Sequence, residues 1–349
     1  MISRDLLPKV CICIPAYNAE DTIAETLNSL INQTYKNIVI YVIDNNSQDS
    51  TSDIVKKFAE KNVNIKLFQY NHTVSIDENF DRCIIHAEGE YTCIFHSDDV
   101  YQPNIIEKEI DLLSKHDEIG AVFTCADIIN ENGEKISEFL PTNKITQKCI
   151  YDFQELFPLV LKYGMCFLTP SAMVKTEIYK NEIIKHKRQE NFGAAFDVDV
   201  WLRILRNHKV GFVYENLMKY RLSIHSTSFR KLMIYKNTIE DGMFNVFAQN
   251  VKDTSFNDKK IIKSYLTLAT KSKLSNIVKA YLCGDYNYAK YISDNLSTDG
   301  VKFKLKMKKY IYKTILLFEL PEFIRKIIVY VKYRNVLKGQ FNRIKLEKM

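Results

Sequence analysis

The first 130 residues alternate short apolar runs with amphipathic segments, and no other feature restricts the possible folds of this chain as strongly. Runs rich in β-branched residues are typical of buried strands. Such runs occupy Val10–Ile14, Ile38–Ile43, Ile65–Phe68, Tyr91–Phe95 and Gly120–Ile129. Between them, apolar residues recur three or four positions apart, which predicts helices with one buried face. Strands and helices in alternation predict an α/β fold, in which helices cover a mostly parallel sheet.

Three of the predicted strands end in polar loops, and these loops indicate a ligand site. They are Pro15–Asn18, Asp44–Ser47 and Ser97–Asp99. In a parallel sheet, ligands bind in the crevice beyond the carboxyl ends of the strands. Because all three loops are expected at this same edge of the sheet, the sequence predicts that their side chains share one site.

The adjacent carboxylates of Asp98 and Asp99 indicate what such a site binds. Two like charges side by side repel each other, so the pair favours a positive species beside it. Mg²⁺ and Mn²⁺ take oxygen ligands and bind through one or two carboxylates together with substrate phosphates. The pair therefore indicates a divalent cation and a nucleotide-linked substrate. The alternative is a solvated turn whose aspartates cap a helix.

From about residue 140 the alternation becomes irregular. The patterns predict a helix near residues 151–163, a strand-like segment at Phe167–Val174, a buried helix from Phe196 and a strand at Val210–Tyr214. Beyond Ser228 the pattern is mostly helical, so we place a domain boundary near residue 230. The sequence thus predicts an α/β domain over residues 1–230 and a helical region over residues 231–349.

The net charge of +7 is concentrated at the C-terminal end of the chain. Residues 301–349 carry 14 Lys and Arg against 3 Asp and Glu, a charge of +11, which leaves −4 for residues 1–300. Apolar residues lie between these basic residues at helical spacing: Ile311, Ile315, Phe318, Phe323, Ile327 and Val331. This region either contacts an anionic membrane or packs on the main domain, and the pattern fits both. Nucleic acid is not expected as a partner, because no recognised binding motif is present.

Cysteine usage and hydropathy bear on the cellular compartment. The eight cysteines lack metal-ligand spacing and are expected to be buried thiols in a reducing compartment. The N-terminal residues contain no long apolar core typical of a secretory signal. The sequence contains no uninterrupted run of about eighteen apolar residues, and this argues against a membrane-spanning helix. We therefore expect a cytoplasmic protein, or one bound peripherally to the cytoplasmic face of the inner membrane.

Several short motifs, taken in order, resemble those of the family 2 glycosyltransferases of the GT-A fold. They are Pro15–Asn18, Ser29–Tyr35, Asp44–Thr51, Ala87–Tyr91, Ser97–Pro103, Asp197–Arg203, and Tyr220 and Arg221 with His225. The resemblance covers about residues 8–230. It implies the GT-A, or nucleotide-diphospho-sugar transferase, fold, with a helical C-terminal extension after it. It also implies inverting transfer of a sugar from a nucleoside-diphosphate-sugar to an acceptor hydroxyl, with Mn²⁺ or Mg²⁺ as cofactor.

The same resemblance assigns roles to individual residues. It implies that Asp99 is the direct metal ligand, that Asp98 contacts the ribose and assists the metal, that His225 reaches the metal or the diphosphate, and that Asp197 is the catalytic base. It places eight residues in the nucleotide-sugar site: Pro15, Tyr17, Asp44, Asn45, Asn79, Ser97, Asp98 and Arg221. Alternatives remain open. Asp197 would otherwise cap a helix, Arg221 would bridge two elements, and His225 would be structural.

The chain departs from the common family pattern at two positions, and this supports a rival interpretation. His96 and Phe196 stand where acidic residues are usual. The favoured interpretation is an enzyme of surface-glycan synthesis, such as lipopolysaccharide or capsule, that acts on a lipid-linked or oligosaccharide acceptor. The alternative is a catalytically impaired nucleotide-binding scaffold protein in the same pathway. A dinucleotide-binding dehydrogenase is disfavoured, because the first turn lacks a glycine-rich phosphate cradle.

Overall fold

The computed structural model describes residues 7–140, 148–185, 192, 195–222, 242–253 and 259–328. Within it the chain forms two compact units, residues 1–221 and residues 222–349. The first unit is an α/β domain and the second is helical over its described residues.

The strands and helices of the first unit follow one another closely along the chain. The strands are β1 (Val10–Ala16), β2 (Ile38–Asp44), β3 (Ile65–Gln69), β4 (Tyr91–Ile94), β5 (Val100–Tyr101), β6 (Ile119–Ile129), β7 (Lys135–Phe139), β8 (Ile150–Tyr151), β9 (Met173–Lys175) and β10 (Lys209–Arg221). The helices are α1 (Ile23–Ile31), α2 (Thr51–Lys61), α3 (Ile76–His86), α4 (Ile105–Ser114), α5 (Phe153–Tyr163), the single turn α6 (Thr176–Ile178), which continues as a π-helical turn (Tyr179–Ile184), and α7 (Phe196–Asn207).

All the described strands belong to one sheet. Its order is β3-β2-β1-β4-β9-β6-β10-β5, with β7 paired to β6 and β8 paired to β10. The neighbours among β3, β2, β1 and β4 are parallel, as are β6 and β10, whereas β9 is antiparallel to both β4 and β6. The predicted α/β fold with a mostly parallel sheet is confirmed. The ends of β1 and β2 therefore lie at one edge, and the loop after β4 begins beside them.

Helix α1 packs on this sheet through the face that the sequence predicts. Ile23, Leu27 and Leu30 are fully buried against the strands. Thr26 is also buried, although it lies among these apolar residues. Helix α3 begins with a capping box, in which the Ser75 hydroxyl accepts from the Glu78 backbone amide and the Glu78 carboxylate accepts from the Ser75 amide. Such a cap satisfies backbone donors that a helix start leaves unpaired.

Two predicted strands differ from the observed ones. The strand-like segment Phe167–Val174 contains a 3₁₀ turn at Thr169–Ser171, and only Met173–Lys175 pairs with the sheet. Pro170 explains this, because proline has no N–H to donate to a ladder. Strand β10 is longer than the predicted Val210–Tyr214 and reaches Arg221. Its extension pairs with β6 on one side and with β5 on the other, so it delivers Arg221 to the loop that carries Asp98 and Asp99.

The second unit is helical where it is described, as the sequence predicts. Its helices are α8 (Gly242–Asp253), α9 (Lys259–Cys283), α10 (Tyr286–Asn295) and α11 (Phe303–Ile315). A separate apolar core holds the last three together, and it includes Leu274, Ile277, Ala289 and Leu305. No helix in the described parts of the chain combines the length and the apolar character that crossing a membrane requires.

Candidate active site

The loops that follow β1 and β2 are fastened to each other by hydrogen bonds. Asn18 and Asn46 both adopt left-handed backbone conformations, with φ of 48° and 65°. Asparagine tolerates this region better than most residues. The amide of Asn18 donates to the Ser47 hydroxyl at 3.0 Å, and the Asn18 side-chain oxygen accepts from the Gln48 amide at 2.9 Å. The two loops therefore form a single rim above the ends of β1 and β2, with Tyr17 half exposed on it.

Asp44 organises the second of these loops from within. Its side chain is fully buried, and its Oδ1 atom accepts hydrogen bonds from the amide and the hydroxyl of Ser47. Its Oδ2 atom accepts from the Ser52 hydroxyl at 2.7 Å, in the first turn of α2. Asp44 thus makes the Asx-type turn that shapes this loop.

Asn45 joins the end of β2 to the segment before α3. Its side-chain nitrogen donates to the carbonyl of Val74, and its oxygen accepts from the Val74 amide, both at 2.9 Å. Arg82 donates to the same oxygen at 3.0 Å, and its guanidinium lies 3.7 Å from the centre of the Tyr70 ring. Asn79 is buried nearby, and its Oδ1 atom has no hydrogen-bond partner among the described residues. Asn45, Val74, Arg82 and Tyr70 therefore form one network of polar contacts at the end of β2.

Threonines of α1 hold the backbone of the loop that carries the paired aspartates. Thr22 and Thr26 each donate a hydroxyl hydrogen bond to the Ser97 carbonyl at 3.0 Å. Thr26 also lies 2.8 Å from the Asp99 carbonyl oxygen. In the sequence, Thr26 lies on the apolar face of the predicted helix α1, and a polar residue at such a position could have indicated this contact.

Arg221 lies under the same loop and bridges several elements. Its Nε atom donates to the Asp98 carbonyl at 2.8 Å, and its Nη1 atom donates to the carbonyls of Asn130 and Glu131. Its Nη2 atom pairs with the Glu25 carboxylate of α1. Of the two roles left open for Arg221, the structure therefore has the bridging one, and a contact with diphosphate stays a prediction.

Asp99 is the most unusual carboxylate of the site. It is fully buried, and its Oδ1 atom accepts from the Arg221 amide at 2.8 Å. Its Oδ2 atom has no hydrogen-bond partner among the described residues and lies 3.8 Å from Nδ1 of His96. Burial raises the pKa of Asp99 well above its ordinary range, and the charge of Asp98 adds to this, while Arg221 opposes it. A buried carboxylate oxygen without a partner is costly, and a bound cation at this place would satisfy it.

The donor set around Asp99 fits a divalent cation. One ligand atom each of His96, Asp98 and Asp99 lies within 4.8 Å of the others. Burial lowers the pKa of His96, although the charges of Asp98 and Asp197 oppose this. A neutral imidazole keeps a lone pair for a metal. The sequence interpretation treated His96 only as a missing carboxylate, whereas the structure places it as a third candidate ligand.

Asp197 lies in the first turn of α7, close enough to His96 to influence its charge. Its Oδ2 atom accepts from the Thr169 hydroxyl at 3.0 Å, and that hydroxyl also accepts from the indole N–H of the buried Trp201 at 3.0 Å. Its Oδ1 atom accepts from the Val198 amide. Asp199, two residues further along, is buried and pairs with Arg203 at 2.8 Å. Asp197 is therefore the carboxylate of α7 that acts on His96.

The remaining predicted site residues are placed as follows. Pro15, at the end of β1, pairs with Ile43 and is partly buried. Ser97 is partly buried beside Asp98. His225 lies outside the described residues. The structure thus joins the loops after β1 and β2 by hydrogen bonds, holds the loop after β4 against the start of α1, and places Asp197 near His96.

Residues 11–176 match the model of the family described as "Glycosyl transferase family 2". An uncharacterised glycosyltransferase of Methanocaldococcus jannaschii is 28% identical over 218 residues, which cover 62% of this chain and 71% of that protein. The Escherichia coli enzyme WfgD, a UDP-Glc:alpha-D-GlcNAc-diphosphoundecaprenol beta-1,3-glucosyltransferase, is 26% identical over 248 residues, covering 69% of this chain and 88% of that protein.

Solved structures show the same fold. The S. aureus protein TarS (residues 1–349), in complex with UDP-GlcNAc, superposes with a TM-score of 0.60 at 16% identity, covering 97% of this chain and 95% of that one. The mannosyltransferase PcManGT of Pyrobaculum calidifontis, with GDP-Man and Mn²⁺, superposes with a TM-score of 0.54 at 15% identity, covering 98% and 90%. At these identities the likeness establishes the fold, and the predicted GT-A fold is confirmed.

Proposed function

Because residues 11–176 form a glycosyl transferase family 2 domain, the chain is a glycosyltransferase, and we propose that its donor is a nucleoside-diphosphate-sugar. The transfer is inverting and metal-assisted, and the acceptor is a hydroxyl group of a growing surface glycan. Solved neighbours with UDP, UDP-GlcNAc or GDP-Man support a donor of this class.

The observation that carries this proposal is the unpartnered Oδ2 atom of Asp99, which faces His96 beside Asp98. These three side chains would hold Mn²⁺ or Mg²⁺. A bound divalent cation stabilises the charge that develops on the diphosphate leaving group. The Mn²⁺ in the Pyrobaculum structure supports the choice of metal. We also propose His225 as a further contact to the metal or the diphosphate.

Asp197 is the proposed catalytic base. In an inverting transfer, the acceptor oxygen bonds to the sugar carbon while the bond from that carbon to the diphosphate breaks, and its electron pair leaves with the diphosphate. The acceptor proton passes to the Asp197 carboxylate, whose Oδ2 atom is oriented by the Thr169 hydroxyl. A positioned general base contributes roughly 10²- to 10⁴-fold in rate.

The strand-end loops form the proposed donor site. Pro15, Tyr17 and Ser97 line its rim, whereas Asp44, Asn45 and Asn79 are buried in its wall. Because Asp44 and Asn45 already hold hydrogen bonds within the domain, we propose that they set the shape of the nucleotide pocket and present their remaining hydrogen-bonding capacity to it. Asp98 would contact the ribose.

The proposed acceptor is lipid-linked, as in the name of the related Escherichia coli enzyme. We further propose peripheral contact between the basic C-terminal region and an anionic membrane on its cytoplasmic face. The +11 charge of residues 301–349 supports this contact, as do the exposed side chains of Ile311, Ile315 and Phe318. A second candidate, a scaffold protein without turnover, is favoured only by the departures at His96 and Phe196.

The test measures nucleoside diphosphate release from a panel of UDP-, TDP- and GDP-sugars with Mn²⁺, and thermal shifts by the corresponding diphosphates. Wild-type protein should release one diphosphate and be stabilised by it only when Mn²⁺ is present. Asp197→Asn should lower turnover by at least about 10²-fold and keep the thermal shift. Asp99→Asn should lose both. Asp111→Asn, a surface carboxylate paired with Lys115, is the matched control and should change neither. A wild-type protein that binds a diphosphate without any turnover would establish the scaffold alternative.

A further inference from the structure

A groove of about 550 Å³ lies between α9 and α11 of the C-terminal unit. Four lysines line it: Lys271 from α9, and Lys302, Lys304 and Lys308 from the start of α11 and along it. All four are exposed at its rim. Their positive charges therefore converge on one opening within a single unit of the chain.

None of the described residues that line this groove carries a carboxylate. Among the described residues, none of the four lysines forms an ion pair. Two acidic residues of this unit pair with other lysines, Asp294 with Lys313 and Glu322 with Lys326. Uncompensated positive charges around a concave surface concentrate the field and attract an anion.

The floor of the groove is apolar. Leu274 and Leu305 are buried there, and Val278 lies beside them. The hydroxyl-bearing residues Thr267, Ser275 and Tyr312 complete the lining and offer hydrogen-bond donors near the lysines. A cationic rim over an apolar floor fits a ligand that joins a phosphate to hydrocarbon better than it fits a free inorganic anion, because free phosphate gains nothing from the floor.

An exposed apolar stripe continues from the groove along α11. Phe303, Met307, Ile311 and Ile315 follow one another at intervals of four residues and are 75%, 43%, 50% and 43% exposed. Residues spaced in this way lie on one side of a helix, and Lys304 and Lys308, each one position further along, lie about 100° around the helix from that side. The stripe and the groove therefore occupy neighbouring faces of α11, and amphipathic helices with lysines beside an apolar face can lie in the plane of a membrane surface.

We propose that this groove binds the phosphate headgroup of an anionic lipid, while the stripe on α11 contacts the acyl chains. The lysines neutralise the phosphate as point charges. The apolar floor contacts the part of the lipid that follows the phosphate, where the glycerol carries the first carbons of the acyl chains. The proposal deepens the proposed membrane contact of the C-terminal region and is independent of sugar transfer.

The experiment uses the full chain and a monomeric soluble lipid, dihexanoyl phosphatidic acid, with binding measured by calorimetry. Lys271→Gln with Lys308→Gln removes two groove lysines. The matched control is Lys273→Gln with Lys306→Gln, two residues away on each helix and outside the groove lining. At roughly 1 kcal/mol for each lysine, the groove variant should bind about 30-fold more weakly than wild type. The control variant should change by less than about threefold, and both should unfold at the wild-type temperature.

Inorganic phosphate serves as the second ligand and should bind at least about tenfold more weakly than the lipid, since the apolar floor adds nothing to it. Equal losses in the two variants would overturn the groove and leave only diffuse charge attraction. Equal affinity for inorganic phosphate would overturn the lipid as occupant. Sedimentation with phosphatidylglycerol vesicles distinguishes lipid binding in the groove from membrane contact of the C-terminal region. If wild-type protein sediments with the vesicles but does not bind the soluble lipid, the groove proposal is wrong and the proposed membrane contact is supported.

Discussion

Glu109 shows how far a single side chain can depart from the pattern around it. It lies on the buried face of α4 with Ile105, Ile106 and Ile110, and both of its carboxylate oxygens lack a hydrogen-bond partner among the described residues. Burial raises the pKa of Glu109 well above its ordinary value of 4.5. The titratable groups that feel its charge are the thiol of Cys93 and the phenol of Tyr179, whose pKa values burial also raises. Burial therefore favours the protonated, neutral carboxyl group in the folded protein.

This protonation makes stability depend on pH in a definite direction. A group with a raised pKa in the folded state contributes its stability fully below the unfolded pKa, and that contribution is lost as the pH rises. Wild type should therefore lose up to about 1.4 kcal/mol of unfolding free energy for each pH unit above 4.5, relative to Glu109→Gln. Urea unfolding between pH 4.5 and 8 measures the difference. Glu60→Gln, an exposed site on α2, is the control and should run parallel to wild type. If the difference in unfolding free energy between Glu109→Gln and wild type stayed constant over this pH range, the expectation would be wrong.

The chemistry of the site residues was readable from the sequence, but their orientation was not. The polar ends of β1 and β2 and the loop with the paired aspartates lie at one edge of the sheet, because strand order brings the ends of parallel strands together. Which side chains are engaged within the domain is a different matter. Arg221 and Asn45 hold backbone carbonyls and amides across loops, and His96 turns toward Asp99. The contacts of Arg221 and Asn45 join residues far apart in the chain, which no local pattern encodes.

Elements were predictable in proportion to their local regularity. Strands β1, β2, β3, β4 and β6 and the helices between them follow continuous apolar periodicity, and the structure confirms them. Strand β9, with three residues after a 3₁₀ turn, is too short to show a period. Strand β10 carries polar residues such as Glu215 and Asn216 in its middle, and its pairing shifts register there. Pairing with β6 and β5 determines the length of β10, so the local sequence pattern predicts a strand that is too short.

Helix α1 provides a testable case in which an element positions the site. The Thr26 hydroxyl contacts two carbonyls of the aspartate loop, those of Ser97 and Asp99. Thr26→Val keeps the shape and removes the hydroxyl, which leaves the Asp99 carbonyl without this partner, while the Ser97 carbonyl keeps the Thr22 hydroxyl. We expect a loss of about 1–3 kcal/mol in unfolding free energy, together with weaker Mn²⁺ binding in a spectroscopic titration of the metal.

Thr22→Val is the graded control for this helix, because the Thr22 hydroxyl contacts the Ser97 carbonyl but not the Asp99 carbonyl. It should affect stability less than Thr26→Val and leave Mn²⁺ affinity closer to the wild-type value. Equal Mn²⁺ affinity in Thr26→Val and wild type would show that α1 does not position the aspartate loop.

At the scale of the whole molecule, charge and apolar exposure are divided along the chain. Residues 1–300 carry −4, whereas residues 301–349 carry +11. The described part of that basic region also exposes large apolar side chains, among them Phe303, Tyr310, Leu317 and Phe318. Exposed apolar residues gathered on one region, with lysines between them, are typical of interaction surfaces. The sequence left open whether the apolar residues between these lysines pack on the main domain or contact an anionic membrane, and both stay predictions.

Replacing the stripe separates apolar insertion from charge attraction. Phe303→Ser with Ile311→Ser should reduce binding to phosphatidylglycerol vesicles at least about tenfold, since burying such side chains is worth roughly 1.5–3 kcal/mol each. Unfolding free energy should hardly change, because both side chains are already exposed. Val63→Ser, a 99% exposed apolar site in the first unit, is the matched control and should bind as wild type does.

Raising ionic strength from about 0.1 to 1 M, which shortens the Debye length from about 10 to 3 Å, should weaken the charge contribution to vesicle binding in wild type and in both variants. Vesicle sedimentation in both salts measures these differences, and unchanged binding by the stripe variant would assign membrane contact to charge alone.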